Sequence, residues 1–126
     1  MAITQVNISS PSNEIIYTST VMGNTVEAIK ASSAKVYAVT VDNSSNGSAT
    51  YVKIWNIAAG SVVLGTTAPD EIIYAPASVI TTHTFFTGSA PGKTFGTALS
   101  AAAVTAGGTA GSTSPSSSTV VSVNYV

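Results

Sequence analysis

The chain has 126 residues, of which 44% are apolar and only 7% are charged, and it contains no cysteine. This length suits a single domain with its own core, and the lack of cysteine excludes disulfides, thiolate catalysis and zinc–cysteine sites. Four lysines, no arginine and a net charge of −1 exclude the clustered positive charge that nucleic-acid binding requires.

The low charge is the most unusual feature of the composition, because an average soluble domain has about 25% charged residues. A surface of Ser, Thr, Asn and Gly repels its neighbours weakly, which suits a protein packed into an assembly; the alternative is a neutral secreted or particle-bound domain. No stretch reaches the roughly 20 apolar residues of a membrane-spanning helix, and the N-terminus lacks the pattern of a signal peptide. We therefore expect synthesis in a cytoplasm and no membrane partner.

The first 13 residues form a segment of their own. Ile3, Val6 and Ile8 give it a short apolar alternation, and a break rich in Ser, Asn and Pro ends it. This pattern predicts an edge strand or an arm that becomes ordered on a neighbouring subunit. One β-domain is predicted to follow over residues 14–126.

Eight later stretches combine alternating hydrophobicity with β-branched and aromatic residues, which favour strands. They cover residues 14–21, 25–31, 35–41, 51–57, 71–74, 79–86, 95–106 and 119–126. In the seventh, Ala and Leu also favour a helix, but the following Gly-Gly stop and the Thr and Val residues favour a strand of small side chains. The chain therefore predicts an all-β fold, an antiparallel β-sandwich of jelly-roll or immunoglobulin-like type with about eight strands.

The third and fourth stretches are the longest pair, and we expect them to form an antiparallel hairpin around the polar loop 42–48. Side chains two apart in a strand point the same way. Alternation therefore divides the first arm into two faces: Tyr37, Val39 and Val41 against Val36, Ala38 and Thr40.

The sequence contains no set of residues with a catalytic or metal-binding pattern. His83 has no acidic residue near it in the sequence, so a packing or surface role is favoured over general-base catalysis. Asp42 and its neighbours lack the repeated carboxylates of a calcium loop, and Gly92-Lys93-Thr94 lacks the first glycine of a phosphate-binding loop. We predict no enzyme activity, no cofactor, no metal site and no small-molecule substrate.

Aromatic residues offer an alternative to a purely structural role. Five of them could line a sugar-binding platform: Tyr17, Tyr37, Tyr51, Trp55 and Tyr74. In β-sandwiches such residues belong more often to the core or to an interface. A carbohydrate- or receptor-binding module displayed on a particle is therefore an alternative function.

Four segments together resemble a known group of proteins. They are TVEAIKASSAKVYAVTVDNSSNGSATYVKIWN, PDEIIYAPA, FGTALSAAAVTAGGTAG and the terminal VVSVNYV, within residues 25–126. Their order resembles that of small virion structural proteins of tailed bacteriophages, cyanophages among them: a Val-Tyr strand, an Asn-rich turn, a Tyr-Val-Lys-Ile-aromatic-Asn strand, a Pro-bounded strand and a small-residue strand. The connection 58–69 and the first two dozen residues depart from this pattern. The resemblance implies a β-sandwich subunit of a phage particle without enzyme activity.

Within that group, a capsid cement (decoration) protein is the function we expect, and a tail or neck-associated protein is the alternative. Such a protein would bind the major capsid protein on the virion surface as a homotrimer, after synthesis in the host cytoplasm. The candidate interface residues are chosen for their expected exposure in the N-terminal arm, the hairpin tip and the loop 108–117. They are Ile3, Val6, Ile8, Asn43, Asn46, Thr109 and Ser112.

Overall fold

A computed structural model of the chain describes residues 14–126. The expected arm residues Ile3, Val6 and Ile8 lie outside this range, so the arm stays a prediction. Within the range the chain forms one short 3₁₀ turn, Ala59–Ser61, and eleven strands. The strands are β1 (Ile15–Ser19), β2 (Glu27–Lys30), β3 (Ala34–Asp42), β4 (Thr50–Trp55), β5 (Glu71–Ala75), β6 (Ile80–Thr84), β7 (Phe86–Thr87), β8 (Ala90–Pro91), β9 (Lys93–Phe95), β10 (Leu99–Val104) and β11 (Val120–Tyr125).

Two antiparallel sheets contain nine of the strands. Sheet A has the order β1-β11-β3-β6, and β9 also pairs with β3, while sheet B has the order β2-β10-β4-β5. The strands β7 and β8 form a separate two-stranded ribbon between β6 and β9. The prediction of an all-β antiparallel sandwich is confirmed.

The core lies between the inner faces of the two sheets. Its side chains are mostly Val, Ile and Ala, the residues that the alternation of each strand places on one side. From sheet A it takes Val36, Val39, Val41, Val121 and Val123, and from sheet B it takes Val52, Ile54, Ile73, Ala101 and Ala103. Because burying a Val or Ile side chain contributes about 1.5–3 kcal/mol, this layer is the main source of stability in a fold without disulfides.

The predicted hairpin of the third and fourth stretches is wrong. The strand β3 pairs with β11, β6 and β9, whereas β4 pairs with β10 and β5 in the other sheet. The connection 43–49 therefore crosses from sheet A to sheet B. Because β3 and β4 lie in different sheets, their apolar faces pack against each other in the core. Two neighbouring strands of one sheet would instead point their apolar side chains in the same direction.

A bulge in β3 changes the predicted division of its side chains. Ala38 lies opposite Asn124 and Val36 opposite Tyr125, so Tyr37 is an extra residue without a partner in β11. As a result Val36 and Val39, three residues apart, are both fully buried, and Tyr37 is on the half-buried side. The expected grouping of Tyr37 with Val39 was wrong because alternation alone does not reveal a bulge.

The stretch 95–106 is strand and not helix, but it is divided between two strands. Its first residue ends β9, which belongs to sheet A, and the rest supplies β10 at the centre of sheet B. All six residues of β10, LSAAAV, are buried. Small side chains allow this strand to be covered closely on both faces.

The outer face of the two central strands of sheet B, β4 and β10, is covered by the chain's own connections. The indole nitrogen of Trp55 donates to the carbonyl of Thr67 at 3.0 Å. The Lys53 amine, on the same face of β4, donates to the carbonyls of Thr109 at 3.2 Å and Gly111 at 2.6 Å. Both side chains are almost fully buried. The segments 56–70 and 105–118 therefore form a second layer over sheet B.

Candidate interaction surface

The outer face of sheet A is crossed by one row of hydroxyl groups. Thr18, Ser122, Thr40 and Thr82 lie directly opposite one another on β1, β11, β3 and β6. The hydroxyl oxygens of Thr18 and Ser122 are 3.2 Å apart, and those of Thr40 and Thr82 are 3.0 Å apart. We call these four residues the hydroxyl row. Their alternation with buried valines is what turns them away from the core.

The residues on either side of the hydroxyl row are almost all uncharged. Ile16, Asn124, Ala38 and Thr84 form the next row on one side, and Val120, Asp42 and Ile80 form the row on the other. Ile16 and Ile80 are 66% and 62% exposed. We call these three rows the neutral face. Unlike sheet B, it is not covered by any connection within residues 14–126.

Asp42 is the one charged residue of the neutral face, and it lies at its margin. The side-chain hydroxyl of Ser44 and then its backbone N–H donate to the Asp42 carboxylate, which lowers the pKa of that carboxyl. The carboxylate is therefore ionised at neutral pH and bound to the adjoining turn. The centre of the face keeps only hydroxyl, amide and aliphatic groups.

An unsatisfied acceptor also belongs to the neutral face. The Oδ1 atom of Asn124 is buried and has no hydrogen-bond partner among the described residues. An unpaired buried polar atom of this kind costs about 1–3 kcal/mol.

The strand β1 is the edge of sheet A beside the hydroxyl row. It pairs with β11 on one side and with no other strand within residues 14–126. Ile15 is 49% exposed, and the exposed Ile16 follows it. An unpaired edge with exposed isoleucines can accept a strand from another chain, and the expected arm precedes it directly in sequence.

The two asparagines expected at the interface do not lie on the surface. Asn43 and Asn46 are 0% and 3% exposed, so the prediction that they are exposed is wrong. Asn43 Nδ2 donates to the carbonyls of Ser48 and Pro76 at 3.0 Å each, and its Oδ1 accepts from the Thr50 hydroxyl at 2.7 Å. Their buried amides replace the backbone bonds that a crossing between sheets leaves unmade.

The other two candidates within the described range lie on the opposite side of the sandwich from the neutral face. Thr109 is half-buried, and its carbonyl accepts from Lys53 on the outer side of sheet B. Ser112 is exposed, and its carbonyl accepts from the Asn24 side chain at 3.1 Å. The four predicted interface residues that the structure describes, Asn43, Asn46, Thr109 and Ser112, are thus not together on one exposed surface.

Sequence reasoning missed the neutral face, although part of its signal was present. The polar members of the alternation in β1, β3, β6 and β11 are mostly Thr and Ser. Only the strand order places these residues side by side, since the four strands are separated in the chain.

An ion pair and the single histidine of the sequence lie in a cleft at the other edge of the sandwich. Glu71 of β5 and Lys93 of β9 form an ion pair there, and the His83 ring packs edge-on against Phe85 with 4.7 Å between ring centres. Within the described part of the chain, no group of three His, Asp or Glu side chains is arranged to hold a metal ion. Among residues 14–126 no helix is long and apolar enough to cross a membrane.

No protein-family model, curated protein or solved structure matches the chain.

Proposed function

We propose that this protein is a non-enzymatic structural subunit of a bacteriophage particle that binds the capsid exterior as a cement protein. The observation that carries the proposal is the neutral face, a sheet surface with a hydroxyl row at its centre that no connection within residues 14–126 covers. The resemblance of residues 25–126 to small phage virion proteins supports the same role. The partner is the major capsid protein, and the expected location is the virion surface.

The chemistry of the neutral face suits contact with another protein. A hydroxyl group can donate and accept, so it can pair with either kind of backbone group on a partner. Desolvating hydroxyls and isoleucines costs much less than desolvating unpaired charges. A surface without charge also gives little long-range repulsion between copies crowded on a shell.

We also propose self-association, at the sheet edge beside the neutral face. Capsids present symmetric positions, and small subunits that bind at a three-fold axis do so as trimers. The free edge of β1, with Ile15 and Ile16, lies beside the neutral face and offers a contact between copies. We propose a homotrimer whose subunits meet near β1.

Sedimentation with shells tests this function. The purified chain, alone and mixed with empty capsids of its source phage, is examined by analytical ultracentrifugation. We expect a trimer that sediments with the capsids. A monomer that does not bind capsids would contradict the proposal, and binding to isolated tails instead would assign the chain to the tail or neck.

Charge placed in the neutral face gives the matched test. Thr82→Lys adds an ammonium group to the hydroxyl row, and its desolvation in a contact should weaken capsid binding at least tenfold, which is about 1.4 kcal/mol. Ser61→Lys is the control, since Ser61 is exposed in the 3₁₀ turn between β4 and β5, outside the neutral face. Equal binding by the two variants would exclude the neutral face as the contact surface.

A further inference from the structure

The cleft between the edges of the two sheets has no role in the proposed attachment. At this side of the sandwich β6 is the edge strand of sheet A and β5 is the edge strand of sheet B. The ion pair of Lys93 and Glu71 spans the gap, because β9 belongs to sheet A and β5 to sheet B. The cleft is open to solvent and has a volume of about 710 Å³, which falls within the usual range of about 300–1,000 Å³ for ligand sites.

Several kinds of chemistry that are rare in this chain occur together in the cleft. It contains the single histidine of the sequence, His83. It also contains the pair of Glu71 and Lys93, the one ion pair formed within residues 14–126. Phe86 lines the same space with 60% of its surface exposed. In a protein with 7% charged residues, this concentration distinguishes the cleft from the rest of the surface.

The cleft is also poor in net charge. Lys93 and Glu71 are opposite in sign and in direct contact, so their fields largely cancel at the distance of a bound ligand. Their side chains remain 35% and 30% exposed, which leaves donor and acceptor positions open to the cleft. The hydroxyl of Thr87 donates to the Gly92 carbonyl at 2.7 Å and keeps its acceptor positions free.

We propose that this cleft binds the terminal sugar of an uncharged glycan. The face of a pyranose ring presents C–H groups, which pack on the electron-rich face of an exposed aromatic ring such as Phe86. Sugar hydroxyls donate and accept, so they can bind the carboxylate of Glu71 and the ammonium group of Lys93 at once. Phosphorylated or acidic ligands are disfavoured, because Glu71 already neutralises the nearby cation.

Glycan binding and capsid binding use mostly different sides of β6. Thr82 and His83 are consecutive in the strand and point to opposite faces, while Thr84, the last residue of β6, borders both the neutral face and the cleft. A subunit attached through the hydroxyl row therefore leaves the His83 side of the cleft accessible. The inference does not depend on the proposed function, because it concerns the isolated chain.

The first experiment measures saturation transfer and amide chemical shifts with methyl glycosides of glucose, galactose, mannose and N-acetylglucosamine, and with sialic acid. We expect at least one neutral glycoside to bind with a Kd of about 1 mM, a common strength for a single small ligand in a shallow site, and to shift amides of β6 to β9. No binding by any neutral glycoside at about 20 mM, or binding by sialic acid alone, would overturn the proposal.

Two variants locate the site. Phe86→Ala should weaken binding at least tenfold because the stacking surface is lost, and Glu71→Gln should weaken it because a charged acceptor is removed. Tyr74→Ala is the matched control, since Tyr74 is a similarly exposed aromatic residue, 55% exposed, on the outer side of β5. Retention of binding in Phe86→Ala, or its loss in Tyr74→Ala alone, would place the sugar elsewhere and overturn the assignment. Trp55 fluorescence verifies that each variant is folded.

Discussion

Two buried asparagines fix the connection between the sheets. Asn46 Nδ2 donates to the Oδ1 of Asn43 at 2.9 Å and to the Thr119 hydroxyl at 3.1 Å. Its own Oδ1 accepts from the backbone of Ser117 at 2.8 Å. The two amides thereby join the start of β4 to the segment that enters β11. The polar loop 42–48 thus contains two side chains that form a buried hydrogen-bond network in the folded protein.

Removing one amide should be costly. Asn43→Ala removes the acceptor of the Thr50 hydroxyl, one acceptor of the Asn46 amide and the donor to the Ser48 and Pro76 carbonyls, so we expect a loss of about 2–4 kcal/mol in the free energy of unfolding. Urea unfolding followed by Trp55 fluorescence measures it. Ser45→Ala, at an exposed position of the same loop, should change stability by less than about 0.5 kcal/mol. Equal effects of the two substitutions would contradict the role of the network.

A carboxylate joins the sheets at their other edge. The Tyr17 hydroxyl donates to Glu27 Oε1 at 2.6 Å, and the Ser19 hydroxyl donates to Oε2 at 2.8 Å. Tyr17 belongs to β1 of sheet A and Glu27 to β2 of sheet B. Burial, and then the hydrogen bond to Glu27, raises the pKa of Tyr17 to about 12.

This shift predicts a loss of stability in alkali. An unfolded tyrosine titrates near pH 10, so between pH 10 and about 12 the folded protein keeps a proton that the unfolded chain has lost. The contribution of Tyr17 is complete below pH 10 and falls as the pH rises. In urea unfolding, the stability advantage of the wild type over Tyr17→Phe should be constant from pH 7 to 9 and shrink by pH 11. Ser19→Ala is the control, because it keeps the Tyr17 phenol and should retain the wild-type pH dependence. If the stability difference between the wild type and Tyr17→Phe does not change with pH, the assignment is contradicted.

At the scale of elements, β10 shows why small residues stand at the centre of sheet B. Ala101 and Ala103 face the core, while Ala102 and Val104 lie buried under the outer layer. The strand is bounded by β2 and β4 on its two sides. A larger residue would have to displace the opposite sheet or the covering connections.

Overpacking of this strand should therefore destabilise the protein. We expect Ala103→Leu to lower the free energy of unfolding by about 1–3 kcal/mol, because the added atoms have no space between the sheets. Ala90→Leu, at an exposed position of β8, serves as the strand control with little expected effect. Circular dichroism measures the thermal midpoints of the two variants. An unchanged midpoint for Ala103→Leu would show that the core has space for a larger side chain and would contradict this prediction.

At the scale of the whole molecule, the two sheets differ in what covers them. Connections cover the outer side of the central strands β4 and β10 of sheet B and bury Lys53, and this burial lowers the pKa of its amine. Within residues 14–126, sheet A keeps the neutral face uncovered and the edge of β1 without a second partner strand. This asymmetry is the reason for placing the proposed contact on sheet A.

The N-terminal segment provides a test at this scale. Deletion of residues 1–12 should leave the sandwich folded, because the core of both sheets lies within residues 14–126. It should weaken attachment to capsids, because Ile3, Val6 and Ile8 are expected to form the contact arm. Circular dichroism verifies the fold and co-sedimentation measures attachment. If the shortened chain binds capsids as tightly as the full chain, the arm does not contribute.

The sequence by itself determined the eight main strands and the class of fold. Alternation in stretches such as TVVSVNYV, and the low charge of the chain, are local properties, and each of the eight predicted stretches overlaps a strand of the structure, whereas the short strands β7, β8 and β9 were not predicted as separate strands. Even β10, where alanines favour helix, was correctly predicted from the glycines and threonines around it.

Only the tertiary structure decided which strands are neighbours and which polar residues are exposed. A hairpin and a crossing between sheets have the same local pattern, so nothing in residues 42–48 revealed that Asn43 is buried. The hydroxyl row joins Thr18, Thr40, Thr82 and Ser122 from four strands, and the cleft brings Glu71 to His83 and Lys93. Such surfaces depend on strand order, which is set by the packing of two apolar faces and not by any single stretch of the chain.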